Sequence, residues 1–221
     1  MFYTIGTPKN ITQLNTPNIR LKGVERKDVK IAIIDDEKFL YIDELKFHGF
    51  DISYFQDIDS IESLLAYEII LCDIKGIGKR FKSKYEGAHV MKEINKKYPF
   101  KTIIAYTGYT YDPTFNTYLK SADSVLKKDL DQDEWIEQLD FAIKMSTDPI
   151  KRWLKIRDYL IEHDVSLFNL TLLENEYVNL IMDNGDFSNF PSSKTTKNMP
   201  ADLRSVLQSF TGSLLFKLII G

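Results

Sequence analysis

Residues 30–36 read Lys30-Ile31-Ala32-Ile33-Ile34-Asp35-Asp36, a short β-branched apolar run that stops on two acids. Strands that are half exposed alternate apolar and polar side chains, whereas strands buried on both faces of a parallel sheet read as continuous apolar runs. The same texture recurs down the chain. Ile69-Ile70-Leu71-Cys72 stops on Asp73, Thr102-Ile103-Ile104-Ala105-Tyr106 on Thr107-Gly108, and Ser124-Val125-Leu126-Lys127 on Lys128. Ile52-Ser53-Tyr54-Phe55 supplies one more strand. Helical spacing fills the intervals: Phe39 to Phe47 before the stop at Gly49, residues 58–67, Gly87 to Lys97 before Pro99, residues 113–121, and 132–145 with Trp135, Leu139, Ala142 and Ile143 on one face. Five strand–helix units of this size predict an α/β fold, a doubly wound five-stranded parallel sheet with helices on both faces.

In such sheets ligand chemistry collects at the carboxyl ends of the strands. Asp35, Asp36, Asp73, Thr107 and Lys128 all stand there and are expected to share one rim. Three carboxylates in one place repel, so either a proton is retained or a divalent cation compensates. Oxygen-only ligands suit magnesium, which takes one or two carboxylates plus phosphate oxygens and water. Lys128 adds a compact positive charge and Thr107 a hydroxyl, groups able to hold a phosphoryl group as charge builds on its oxygens. An aspartate can itself act as the nucleophile. Asp73 is the best candidate, because it stands alone after its strand and leaves the Asp35-Asp36 pair to position metal.

The pair in Ile33-Ile34-Asp35-Asp36-Glu37, the lone Asp73, the hydroxyl in Ala105-Tyr106-Thr107-Gly108 and the lysine closing Val125-Leu126-Lys127-Lys128-Asp129 together resemble the receiver domain of two-component response regulators, over residues 30–148. The resemblance implies a flavodoxin-like sheet of order 2-1-3-4-5 and a phosphorylation-dependent signalling switch. Asp73 would accept a phosphoryl group from a sensor histidine kinase or phosphotransfer protein. Magnesium would be held by Asp36, Asp73 and the backbone carbonyl of Lys75, with Asp35 acting largely through water, while Thr107 and Lys128 bind the transferred group. Strand alternation favours Lys128 over the adjacent Lys127.

Two features depart from that family. Thirteen residues, 74–86, separate Asp73 from Gly87, and their sequence IKGIGKRFKSKYE holds five basic residues against one acid. Long loops are often functional, so this one is read either as a cover over the acidic rim or as a solvated insertion. Val125 occupies a place where the family usually has an aromatic ring. Tyr106 and Tyr109 flank Thr107 as possible substitutes, although alternation sends Tyr106 away from the Thr107 side chain. His48, His89 and His163 lack the spacing for metal or triad chemistry, and Cys72 reads as a small buried hydrophobe.

Outward from this core, residues 1–29, with Pro8 and Pro17, read as an extended arm. Residues 149–221 read as a helical output or interaction region: a helix from Pro149 to about His163, an almost uniformly apolar one from Ser166, a polar loop over 184–198, a helix at 200–210 and an apolar tail. That region carries eight basic and eight acidic residues. With no basic recognition helix, a DNA-binding output is disfavoured and a protein-interaction or dimerisation role favoured. The alternatives are a transcriptional regulator with a divergent output domain and an aspartate-based phosphotransferase or phosphatase. The latter class needs a second carboxylate two residues after the nucleophile, where this chain has Lys75.

The whole chain is in keeping. Its 221 residues fit a domain with an appendage or two small domains, and 43% hydrophobic with 28% charged residues describes an ordinary globular protein. A net charge of −3 lacks the electrostatics of non-specific phosphate-backbone binding. The single cysteine and the lack of an uncharged apolar run of about 18 residues point to a reducing, cytoplasmic setting and away from a membrane.

Overall fold

The computed structural model describes residues 7–15, 23–108, 119–183 and 187–213. The chain divides into two compact units, one of residues 24–148 and one in which residues 1–23 join residues 149–221.

In the first unit the five apolar runs form the strands β1 (Lys30–Ile34), β2 (Asp51–Phe55), β3 (Ile69–Asp73), β4 (Thr102–Thr107) and β5 (Ser124–Lys127). All pairings are parallel and the order is β2-β1-β3-β4-β5. Ile31 to Ile34 and Ile69 to Cys72 are completely buried, as their unbroken apolar character requires of central strands. The helices are α1 (Ile42–Phe47), α2 (Glu86–Lys97) and α3 (Gln132–Thr147). Cys72 lies 3.7 Å from the Gly87 carbonyl of α2, whereas Tyr106 packs edge-on against Trp135 of α3, at 5.9 Å between ring centroids. Cys72 pairs with Ala105, so it and Tyr106 project to opposite faces, and the two helices cover different sides of the sheet. Asp131 and Glu134 close a capping box at the start of α3.

Residues 58–67, read as a short helix, hold only the 3-10 turn Ile61–Leu64. Four residues suffice to bury Ile61 and Leu64 before the chain turns into β3. The helix expected over 113–121 falls mostly outside the described residues.

The second unit contains α4 (Pro149–Glu162), α5 (Leu167–Met182), a single turn α6 (Ser193–Thr196) and α7 (Ala201–Gly212). Ser166 caps α5 by accepting from the Asn169 amide. The core is aromatic: the Trp153 ring stacks on Tyr177 at 5.0 Å, and Phe210 of α7 lies 5.8 Å from Tyr177. Arg152 is buried with them, its Nη2 donating to Ser213 Oγ at 2.7 Å. On α4 Ile161 is 48% exposed, and the greasy α5 likewise leaves Leu167 and Phe168 in the open. The stretch 184–198, expected as a plain loop, contains the turn Phe187–Asn189 and α6, whose cap Ser192 is held by Glu176.

The beginning of the chain is not uniformly an extended arm. Ile11–Asn15 is a 3-10 helix that buries Ile11 and Leu14. Glu174 of α5 accepts from the Ile11 amide at 3.0 Å through one oxygen and from Trp153 Nε1 at 2.7 Å through the other, and Asn175 accepts from the Lys9 amide at 2.9 Å. Residues 24–29 belong instead with the sheet, where Arg26 forms a two-pronged pair with Asp140 of α3. Among the described residues no helix is long and apolar enough to cross a membrane.

Glu174 thus ties residues separated by more than 160 positions, and removing it leaves a buried indole N–H and a backbone N–H without their acceptors. Glu174→Ala is expected to cost about 1–3 kcal/mol in urea denaturation. It should also render residues 7–15 a cleavage site in limited proteolysis while the sheet unit stays resistant.

Candidate functional site

The register places the acids. Ile34 pairs with Cys72 and Asp73 with Tyr106, so Asp35, Asp73 and Tyr106 stand in one row across three adjacent strands, where side chains share a face. Carboxylate oxygens of Asp35, Asp36 and Asp73 come within 4.8 Å of one another. Asp35 and Asp73 are buried, at 2% and 5% exposure, while Asp36 faces solvent.

Lys128 answers this charge. Its amide donates to the Thr107 carbonyl at 3.1 Å, anchoring it just past β5. Its Nζ then lies 2.7 Å from Asp73 Oδ2 and 2.9 Å from Asp35 Oδ2, with Glu37 at 3.8 Å. Lys127 pairs with Thr107 in the sheet and is exposed, so Lys128 is the lysine that meets the acids. Burial pulls the Lys128 ammonium down, but its bonds to Asp73 and Asp35 outweigh that and hold it above the ordinary lysine value.

Each buried acid has further donors. Asp73 Oδ1 accepts from the Ile74 amide at 2.6 Å and lies 3.4 Å from the Lys75 amide, which puts Lys75 beside the site. Asp35 Oδ1 accepts from the Glu37 amide at 2.9 Å. The Tyr54 hydroxyl lies 2.7 Å from the Asp35 carbonyl and 2.8 Å from that of Glu37, steadying the turn after β1. Thr107 closes β4 at the same rim, half-buried, on the face opposite Tyr106. Gly87 is required where α2 begins, because a Cβ there would lie 1.8 Å from the Asp73 carbonyl oxygen.

Tyr106 is the group that residue-by-residue reading missed. Its ring, 1% exposed, packs edge-on against Phe39 and Trp135, and its hydroxyl donates to Asp35 Oδ2 at 2.7 Å. Lys128 Nζ sits 5.3 Å from the ring centroid. Burial, then the hydrogen bond to Asp35, push the phenol far above its ordinary pKa, so it remains a donor. The signal was present in alternation: a residue turned away from Thr107 is turned toward the row of Asp73 and Asp35. Val125 is half exposed, and Tyr109 lies outside the described residues. Burial raises the Cys72 thiol well above its usual range, with the Asp73 charge adding to the effect, in keeping with an inert buried thiol.

No family model and no curated protein matches the chain. Solved structures similar to it are receiver domains of response regulators. NtrX from Brucella abortus is 21% identical at a TM-score of 0.45 over 53% of this chain and 27% of that one, so the chain spans about a quarter of that protein. A CheY-like receiver domain protein from Methanospirillum hungatei JF-1 is 21% identical, covering 52% of this chain and 97% of that one at a TM-score of 0.41. A response regulator from Thermotoga maritima is 15% identical, covering 52% and 98% at 0.44. These likenesses concern the fold.

Two outcomes follow from the buried charges. Tyr106→Phe keeps the ring packing but deprives Asp35 of a donor, and should cost about 1–3 kcal/mol in chemical denaturation. Burial raises the Asp73 carboxyl above its ordinary 3.8, against the opposing pull of Lys128. The native state therefore binds that proton more tightly than the unfolded chain, and the associated stability declines as pH rises from 3.8 through the folded pKa. Asp73→Asn should accordingly melt above the wild type at neutral pH, with the difference closing below 3.8 in a Tm series.

Proposed function

We propose that the sheet unit is a phosphoryl-accepting signalling switch in which Asp73 is the acceptor. The observation that carries this reading is the Lys128 ammonium shared between Asp73 and Asp35 at the strand ends, with a third carboxylate, Asp36, within 4.8 Å. A structural ion pair needs one acid for one base. A site with three acids against the half-buried Lys128 and one exposed lysine, Lys79, retains negative charge, which suits a divalent cation, and a cation together with Lys128 suits a phosphoryl group.

The donor set suits magnesium: oxygen ligands only, which would come from Asp36, Asp73 and the Lys75 carbonyl, with Asp35, which holds the Tyr106 hydroxyl as well as Lys128, acting largely through water. Bound there, magnesium would offset the charge of the carboxylates and of the incoming phosphoryl oxygens. The protein's own groups do the remainder. An Asp73 carboxylate oxygen attacks phosphorus as the P–N bond of a partner's phosphohistidine breaks, and the departing imidazole nitrogen takes up a proton. Lys128 then moves its hydrogen bonding from carboxylate to phosphoryl oxygen, and the Thr107 hydroxyl donates to another. The partner is a histidine kinase or phosphotransfer protein. Residues 149–221 form the output, acting through protein contact or self-association rather than through DNA, as their neutral charge balance supports.

The test is incubation with acetyl phosphate and magnesium, read by intact mass. Wild type should gain one hydroxylamine-labile phosphoryl group, Asp73→Asn none, and Lys128→Ala should acquire it at least tenfold more slowly, by analogy with the loss of one transition-state donor at about 2.7–4 kcal/mol. Wild type that stays unmodified, or an Asp73→Asn chain modified equally well, would refute the assignment.

A further inference from the structure

The basic loop between β3 and α2 is built, not draped. Ile74 and Ile77 are buried beneath it. Asp57, from the turn after β2, accepts from the amides of Gly78 at 2.6 Å and Lys79 at 3.1 Å, one through each oxygen. Glu86 accepts from the Gly76 amide at 2.8 Å. Gly76 itself has φ 77° and lies against Asp36, so that a Cβ there would fall 2.2 Å from the carboxylate. Any other residue would strain the backbone and collide with the acid.

These anchors deliver two of the loop's cations to acids. Arg80 pairs with Asp59 at 2.7 Å, and Lys79 Nζ lies 3.8 Å from Asp36 Oδ2. Asp36 is the most open of the three clustered carboxylates and is the one Lys128 does not reach. The acidic site is therefore flanked by two lysines, a half-buried one on Asp35 and Asp73 and an exposed one on Asp36.

We propose that Lys79, held by the Asp57-anchored loop, is a further binding residue of the site: it competes with the divalent cation for Asp36 and supports the phosphoryl group once Asp73 carries it. This rests on the reading of Asp73 as acceptor. An ammonium beside Asp36 repels an arriving dication and attracts a dianion, so one charge weakens cation binding to the bare carboxylates and strengthens retention of the phosphoryl group. The loop shifts the site away from the merely metal-bound form.

The experiment is calorimetric titration of the full chain with magnesium chloride, then with fluoroberyllate, a phosphoryl mimic, at saturating magnesium. At low salt Lys79→Met should bind magnesium about three- to tenfold more tightly than wild type, and the gain should shrink at high salt, as expected for an exposed charge. Fluoroberyllate should bind the same variant more weakly, and Lys79→Arg should follow wild type in both titrations. Asp57→Asn, which weakens the anchor that positions Lys79 without changing that residue itself, should move in the direction of Lys79→Met. Magnesium affinity unchanged within twofold in Lys79→Met, or fluoroberyllate bound more tightly by it, overturns the role of Lys79 while leaving Asp73 as acceptor untouched. Wild type that binds neither magnesium nor fluoroberyllate overturns both readings.

Discussion

One ammonium shared by two buried carboxylates is the constraint on which the sheet unit depends. Asp35 and Asp73 sit at adjacent strand ends and have almost no contact with solvent. Burying one carboxylate without a partner is costly, and burying two side by side is worse, since each raises the other's free energy. Lys128 answers both from the far side of β4, and it can do so only if β1, β3, β4 and β5 keep their registers. A slip of one residue in β1, β3 or β5 would turn an acid or the lysine to the opposite face, and one in β4 would turn Tyr106 away from Asp35. The apolar strands supply most of the favourable energy of folding. The charges at their ends determine which alignment is tolerated.

Much of this was legible because it follows from local chemistry. A buried parallel strand must be apolar along its length, so Ile31–Ile34 and Ile69–Cys72 announce themselves, and the acids that end them are conspicuous by contrast. What eluded the sequence are contacts set by register or by distance along the chain. Tyr106 reads as one more apolar strand residue until its row is known, and only then does its hydroxyl find Asp35. Asp57 looks like a polar residue in a turn, and nothing near it in sequence indicates that its carboxylate collects two amides from a loop some twenty positions on. The helix expected at 58–67 shrank to one turn because two buried side chains, Ile61 and Leu64, satisfy that corner.

In the second unit the polar residues do the specifying. Its helices offer more apolar surface than they bury, as the exposed Leu167, Phe168 and Ile161 show, so hydrophobicity alone leaves their pairing open. The polar groups that join the helices are more selective. Glu174 matches the Trp153 indole and the Ile11 amide, Glu176 the cap at Ser192, and Arg152 the hydroxyl of Ser213. Each needs a partner of definite geometry, and a misaligned helix would strand it.

The discontinuous second unit also bears on the order of events at the ribosome. The sheet unit is an insertion between two pieces of its neighbour, so Ile11 cannot meet Glu174 until the 163 positions that follow it have been made. Domains fold largely as units during synthesis, and the inserted one is complete before its host. Residues 7–15 thus precede the sheet in synthesis, yet their partner Glu174 follows it. A truncation after residue 148 would keep the sheet unit and leave residues 7–15 without Glu174 and Asn175 to fold against.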